Sequence, residues 1–527
     1  MTTPGQHAHL PPAGPIPGHL PGPLPGPADP AALLLNWPED RPLLMLHSGR
    51  PHPRWARWTI IAEPARWLVI PDAEIDARPE AVLAELRAAL APLDEDHDHE
   101  APHDDDALPF TGGWIGVLSH ELGRLFEPRA HQPADLPHLP NPRTSASPAS
   151  DTPDTSNASP FPAIALGWCE AAVLFDHLHQ RWYGIGPCDA LAQRLQHAAQ
   201  HTPPARSAVV SPLIGAFEPK AYRDRVTHLL ELIAAGDIFQ ANFTQPFTAR
   251  FDGSGRALAH AAFTASPAWY GAYLELPDED GLRRSVISIS PELFLDLSAP
   301  PRTLTTRPIK GTRPASESAE TLRDSAKDAA ELHMIVDLMR NDLGRICRYG
   351  SVRVIEPRAI ESHPTVHHGV SEIQGELRDE VDLVDMLAAT FPGGSVTGAP
   401  KIRAMQILRA LECGPRGPYC GAIGFFDRRG RARLNIAIRT MTLIGRVPPG
   451  SPRDAVEGTL TYGAGGGIVA DSDPHAEYAE CLTKTEAIRR ALDTLHEPSS
   501  VNSAGTNSPG INSPGMNSTS TDFPIPR

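Results

Sequence analysis

Cysteine is scarce in this chain. The 527 residues hold six (Cys169, Cys188, Cys347, Cys413, Cys420, Cys481), and no two form a CxxC pair. That excludes a disulfide frame or a zinc knuckle and fits reduced thiols in a cytoplasmic protein. Long hydrophobic runs are also missing: no stretch of about 18 apolar residues occurs, so no membrane-spanning helix is expected. The start, Met1-Thr2-Thr3-Pro4-Gly5-Gln6-His7, has no basic segment followed by an apolar one, so no secretory leader is expected. Positive charge is in deficit. Against 63 Asp and Glu stand 47 Lys and Arg, a net charge of −16, which argues against nucleic acid or an anionic membrane as a partner.

Proline and glycine are plentiful, 57 and 42 residues, and they punctuate the chain. Residues 1–30 form a Pro-rich tail and 496–527 a tail of Asn-Ser-Pro-Gly repeats, both expected to be disordered. Between them, 31–205 reads as an amino-terminal region and 210–495 as a catalytic region, divided by a linker at Pro203 to Ser211. The amino-terminal region carries exposed insertions near 94–108 and 130–160. The first mixes acids and histidines and is read as a solvated loop rather than a metal site. Strand-like runs include Trp67-Leu68-Val69-Ile70, Ala163 to Phe175 paired with Arg181 to Ile185, and Ser285-Val286-Ile287-Ser288-Ile289. Helical spacing appears at Pro219 to Ala235, Ser325 to Arg345 and His475 to Arg489. Strands and helices mix without regular βαβ alternation, which favours an α+β fold with large antiparallel sheets.

Three features carry candidate chemistry. In Arg307-Pro308-Ile309-Lys310-Gly311-Thr312-Arg313, one lysine sits between a proline-stiffened segment and a glycine, at a strand-to-loop corner. The helix Ser325 to Arg345 puts Asp328 and Glu331 on one face. The helix from His475 does the same with Glu477, Glu480 and Lys484. Carboxylates on two helices could hold a hard divalent cation such as Mg²⁺, although each pair alone reads first as a solvated helix face. Gly393 to Lys401 has the Gly-x4-Gly spacing of a phosphate loop, but Ala399 stands where lysine is required. Gly463-Ala464-Gly465-Gly466-Gly467-Ile468 lacks the last glycine of a dinucleotide fingerprint. Such loops still offer clustered N–H groups. With Thr397, Arg439 and Lys484 they suit a small carboxylate substrate.

Over roughly 210–490 the chain resembles the chorismate-utilising enzymes. The ordered strings GDIFQANFTQPF, SISPELF, RPIKGTRP, SAKDAAELHMIVDLMRNDLGR, HPTVHHGVSEI, FPGGSVTGAPKIRAM, GPYCGAIGF, LNIAIRT and YGAGGGIVADSDPHAEYAECLTK carry the resemblance. LLMLHSG and PFTGGWIGVLSHELGR extend it more weakly toward the amino terminus. The resemblance implies two large antiparallel sheets packed as a sandwich with helices outside, chorismate as substrate and Mg²⁺ as cofactor. It also implies site residues. Lys310, Glu292 and His368 match catalytic positions, with His367 read as structural. Thr397, Gly398, Tyr419, Arg439, Gly465, Gly467, Lys484 and Gln240 match substrate contacts. Glu331 and Glu480 match metal ligands, with Asp328 and Glu477 beside them.

Two positions sort the branches of that family. Where the isochorismate and salicylate synthases carry a water-activating lysine, this chain has Gln240, which implies amination rather than hydroxyl transfer. Where the anthranilate branch carries alanine, it has Lys310, as in the aminodeoxychorismate branch, which implies a lysine nucleophile and nitrogen placed at C4. Anthranilate formation is the nearest alternative, and an idle amidotransferase-binding scaffold is an alternative of another class. No Gly-x-Cys-x-Gly elbow occurs, so ammonia is expected from a separate glutamine amidotransferase, and a lyase domain is expected to be another chain. The resemblance finally implies a tryptophan pocket at Ser48, at Trp55, Ala56, Arg57 and Trp58, and at Pro267, Ala268 and Trp269, with bound tryptophan as a further partner.

Overall fold

A computed structural model describes residues 24–92, 108–132, 134, 159–204, 206–278, 280–298, 301–363 and 366–496. The expected carboxy-terminal tail from 497 onward, residues 1–23 of the amino-terminal one, the acidic–histidine run and most of the second insertion lie outside the described residues. The described part of the leading segment is tied down: Leu24 N–H donates to the Trp182 carbonyl, and Trp182 Nε1 donates to Pro27 O, each at 2.9 Å.

Two antiparallel sheets dominate, one of twelve strands and one of ten. The first runs Gly398–Ala399, Gln240–Ser254, Ala455–Ile468, Thr440–Arg446, Arg283–Ser290, Tyr270–Glu275, Leu44–His47, Trp58–Ala62, Ala172–Asp176, Arg181–Ile185, with Ala208–Val210 and Ile214–Gly215 also on Gln240–Ser254. The second runs Ile309–Pro314, Val366–Glu376, Thr303–Arg307, Leu293–Leu297, Ala432–Ile436, Ala422–Asp427, Gly113–Leu118, Ile164–Cys169, Arg66–Ile70, with Arg353–Ser362 also on Val366–Glu376. Each sheet takes strands from both sides of the 203–211 linker. Region boundaries along the chain are therefore not boundaries in space.

The sandwich follows from burial on both faces. Leu44, Ile60, Leu174, Leu274 and Val286 of the first sheet interdigitate with Ile115, Val117, Ala165, Ile423 and Phe425 of the second. The outer face of each sheet is covered by helices: Leu229, Leu258 and Ile407 over the first, and Leu86, Leu332, Ile335 and Met386 over the second. A strand covered on both sides reads as a continuous apolar run, which is why Ala163 to Phe175 looks like one strand. It is two. Ile164–Cys169 belongs to the second sheet and Ala172–Asp176 to the first, with exposed Glu170 at the crossing.

The chain makes the same sheet-to-sheet step at Glu63-Pro64-Ala65, and two later ones follow at Pro291-Glu292 and at Ala437-Ile438-Arg439. Arg439 adopts φ 50 there. Both later steps place a charged side chain at an end of the sandwich.

Two helices complete that end. Ala326–Gly344 starts on Ser325, whose hydroxyl accepts from Asp328 N–H at 3.2 Å. Its buried stripe of Leu332, Ile335, Val336, Met339 and Leu343 leaves Glu331 half-buried on the other face. The predicted helix His475 to Arg489 is instead two helices, Pro474–Thr483 and Glu486–His496. Asp473 caps the first by accepting from His475 and Ala476 N–H. At the break the Thr485 hydroxyl bonds back to Leu482 O at 2.7 Å.

Candidate active site

The heptapeptide around Lys310 is not a corner but a bulged strand. Ile309 pairs with Val370 and Thr312 with His368, so Lys310 and Gly311 together oppose the single residue Gly369. An extra residue bends the strand and re-aims its side chains. The geometry needs both glycines. Gly311 sits at φ +79, and a Cβ on Gly369 would stand 2.6 Å from the Lys310 carbonyl. The bulge sends the Lys310 amine into a cavity of about 500 Å³, where it donates to Ser395 O at 3.4 Å. Burial lowers its affinity for a proton. Neighbouring Lys484 pulls the same way, while Glu331, Glu292 and Glu480 oppose.

Glu292, from the Pro291-Glu292 crossing, lines the same cavity and is 4% exposed. Burial pushes its carboxyl up to about 7, against the Ser395 hydroxyl, the Lys310 charge and the Ile309 N–H. A carboxyl poised there can give a proton near neutral pH. His368 faces the cavity with its affinity for a proton driven far down by burial and by Arg439. Arg439 can only donate, and its Nη2 stands 3.5 Å from His368 Nε2. The imidazole proton is therefore assigned to Nδ1, which donates to Thr312 Oγ1 at 3.0 Å. His367 points elsewhere, to Ser362 Oγ and Glu317 O.

Carboxylates from both helices converge on the mouth. Asp328, Glu331, Glu477 and Glu480 all line the cavity. Asp328 is held by Arg313 at 2.6 Å, Glu480 by Lys484 at 2.8 Å, and Glu477 accepts the Ser472 hydroxyl at 2.7 Å. Burial raises the carboxyls of Glu331 and Glu477, whereas Lys484 lowers that of Glu480. Among the described residues no three His, Cys, Asp or Glu side chains form a ready metal cage. An all-oxygen set divided between two helices fits Mg²⁺, which keeps waters and substrate oxygens in its shell. The lining also holds Arg439, with no carboxylate partner among the described residues, and Lys484, whose amine also donates to Gly465 O at 2.7 Å.

Of the predicted residues, Tyr419, Gly465 and Gly467 line the cavity as well. A Cβ on Gly463 would lie 2.2 Å from the Tyr419 ring, so glycine allows that ring to lie flat on the strand. Gln240 is fully buried behind the lining. Its Nε2 and the Lys310 amine would stand 2.9 and 3.2 Å from a Cβ on Gly467, and its Oε1 has no hydrogen-bond partner. Thr397 and Gly398 stand outside the lining. The Thr397 hydroxyl is spent on the Gly393 and Gly394 carbonyls, and Gly398 is packed against Gln240 O and Ala404. Ser395, missed in the sequence, is in contact with both Lys310 and Glu292. Its signal was present only as a third polar residue in the loop that supplied Thr397.

The expected tryptophan pocket is a different kind of space. Ser48, Trp55, Trp58 and Trp269 line a cavity of about 50 Å³, roughly a third of the ~150 Å³ that admits benzene. Its own indoles fill it. Arg307 lies over Trp55 at 4.2 Å, and Ser48 Oγ donates to Trp58 O at 2.8 Å. Arg57 turns away to Asp176 at 2.7 Å, Ala56 is buried, Pro267 is exposed, and the Ala268 carbonyl accepts from Gly49.

Residues 50–490 match the family model described as chorismate binding enzyme. The chain is 33% identical to aminodeoxychorismate synthase component 1 of Escherichia coli (strain K12), over 88% of this chain and 99% of that one. It is 36% identical to an anthranilate synthase component 1 of Haloarcula marismortui, over 80% and 82%. Among solved structures, anthranilate synthase component I from Streptococcus pneumoniae TIGR4 superposes with a TM-score of 0.63 at 27% identity, covering 83% of this chain and 93% of the other.

Proposed function

The chain belongs to the chorismate-binding enzyme family, and within it we propose that it aminates chorismate at C4 to give 4-amino-4-deoxychorismate, the precursor of 4-aminobenzoate and folate. The observation that carries this reading is the bulge that delivers the Lys310 amine beside a buried acid, Glu292. Relatives of both amination branches are similarly distant, so overall identity does not choose between them. Lys310 supports the C4 branch.

The neutral Lys310 amine bonds to C2, the conjugated double bonds shift, and the C4–O bond breaks. The oxygen leaves as water with the proton of Glu292, because hydroxide alone is a poor leaving group. Ammonia then bonds to C4, the double bonds return, and the C2–N bond breaks to restore the Lys310 amine. The new ammonium gives its surplus proton back to Glu292. Arg439 and Lys484 supply cations for the substrate's carboxylates, and the flat Tyr419–Gly463 wall confines the ring. Glu331 and Glu480, with Asp328 and Glu477 beside them, would hold Mg²⁺, which neutralises a substrate carboxylate when bound. Ammonia comes from a separate glutamine amidotransferase in the cytoplasm.

The test is product identification from chorismate, Mg²⁺ and ammonium. The expected product is the 4-amino isomer, and anthranilate would overturn the reading. Without ammonia, intact-mass and peptide analysis should find a chorismate-derived adduct on Lys310.

A further inference from the structure

One residue touches both partners of the proposed chemistry. Ser395 is 7% exposed and sits in the single turn Gly394–Val396. Its hydroxyl donates to Glu292 Oε1 at 2.8 Å, and its backbone carbonyl accepts from the Lys310 amine at 3.4 Å. We infer that Ser395 is a positioning residue that ties the acid and the amine into one hydrogen-bonded unit and sets how readily the acid releases its proton.

The turn is built to stay in place. A Cβ on Gly393 would stand 2.5 Å from Ile436 Cδ1 and 3.4 Å from the Phe294 ring, and one on Gly394 would stand 2.6 Å from Leu338 Cδ2. It is therefore wedged between the strand that follows Glu292 and the helix that carries Glu331. The Thr397 hydroxyl closes it from the far side. Moving Ser395 would require moving those elements too.

A hydroxyl that donates to a carboxyl favours the ionised form, and burial favours the neutral one. Ser395 acts against burial at Glu292, alongside Lys310 and the Ile309 N–H. The other ionisable groups lining the cavity are Arg439 and His368 beside the crossing strands, Arg313 on the bulged strand, Lys327, Asp328 and Glu331 on one helix, Glu477, Glu480 and Lys484 at the other, and the phenols of Tyr419 and Tyr462, but Lys310 is the charge that acts on Glu292. The carbonyl contact is independent of the side chain. Removal of the hydroxyl therefore leaves the amine anchored and changes the acid alone, which makes the two halves of the unit separable.

The role in turnover rests on the C4-amination reading, whereas the effect on Glu292 does not. The experiment compares Ser395→Ala and Ser395→Thr with the unsubstituted protein, each checked for an unchanged melting temperature. The first readout needs no turnover. The infrared band of a protonated carboxyl that vanishes in Glu292→Gln is titrated, and its midpoint should rise by about one pH unit in Ser395→Ala and return in Ser395→Thr. An unmoved midpoint in the folded Ala variant overturns the inference. The second readout is the pH profile of kcat/KM for chorismate consumption. Its alkaline limb should move up in Ser395→Ala and return in Ser395→Thr. A limb that stays put while activity falls at every pH means a merely structural role and also overturns it. A moved midpoint with anthranilate as the product instead overturns the C4 reading and upholds the tie between Ser395 and Glu292.

Discussion

Two of the cavities in the fold answer opposite design problems. The larger, about 500 Å³, is lined by Lys310, Glu292, Arg439 and four helix carboxylates. The smaller, about 50 Å³, is lined by Trp55, Trp58 and Trp269. Charged walls resist collapse, because each ion must keep a partner or face solvent, and here Asp328 and Glu480 keep Arg313 and Lys484 beside them. The aromatic wall packs on itself and its neighbours instead: Trp55 and Trp269 share one buried cluster, and Arg307 lies over both. The space that reads as a ligand pocket by position is thus filled by its own side chains. The spaces are also linked. The His363 ring lies 5.2 Å from Trp269 on one side and 5.2 Å from His368 on the other.

The sharpest way to break the comparison is at the charged cavity. Lys310→Ala should lower 4-amino product formation by about 10³-fold or more, since it deletes the nucleophile rather than a contact. Steady-state rates with ammonium as the nitrogen source measure it. Retained C4 amination would show that the large cavity works without its central amine.

At the aromatic cavity the expected loss is in stability. Trp269→Ala removes a 7% exposed ring and should cost about 3–5 kcal/mol in urea unfolding. It also enlarges the cavity toward the size that admits a planar ring. Added indole or tryptophan should therefore raise the melting temperature of the variant and leave that of the unsubstituted protein where it was. A clear rise with the unsubstituted protein would mean that its indoles part for a ligand.

What the sequence disclosed differs between the two cavities for the same reason. Residues whose chemistry is carried by type and spacing were legible. The Asp328–Glu331 and Glu477–Glu480 pairs lie on two helices and line one cavity, and the large antiparallel sheets follow from strands without βαβ alternation, whereas their packing as a sandwich came from the resemblance. The bulge at Lys310 was not legible as such, because it depends on Gly369 in a partner strand some sixty residues away. The crossing at Glu170 was hidden because both flanking strands are buried on two faces. Thr397 and Ser395 show the limit most closely. Both are polar residues in one glycine-rich loop, and only the turn geometry decides that Thr397 closes the loop while Ser395 faces the site.

A third test asks what the charged cavity costs the fold. Glu292 titrates at about 7 here against an ordinary 4.5. Its raised value means that its contribution is fully present below the unfolded value and is lost as pH rises from about 4.5 through about 7. Glu292→Gln cannot ionise. The substituted protein should therefore gain stability relative to the unsubstituted one as pH rises through that window, by up to about 3 kcal/mol above pH 8, while turnover is lost. Unfolding at pH 5 and pH 8 measures the difference. Equal stability of the two proteins at pH 8 would mean that the acid is not strained by its burial.

The smallest expected effect lies at the rim, where the two cavities differ most in how their walls are paid for. Lys327 is half exposed and stands 4.0 Å from Glu331, four residues along the same helix. Such a pair is screened by water and gains little over solvation, so Lys327→Ala should change unfolding free energy by less than about 0.5 kcal/mol. That is several-fold below the cost expected for one indole at the other cavity. The contrast has a physical basis: Lys327 is already solvated and acts weakly on Glu331, Glu477 and Glu480 together, whereas a buried ring has packing alone. A loss above about 1.5 kcal/mol for Lys327→Ala would place the pair among buried, hydrogen-bonded ions. The rim would then be a rigid wall rather than an adjustable mouth.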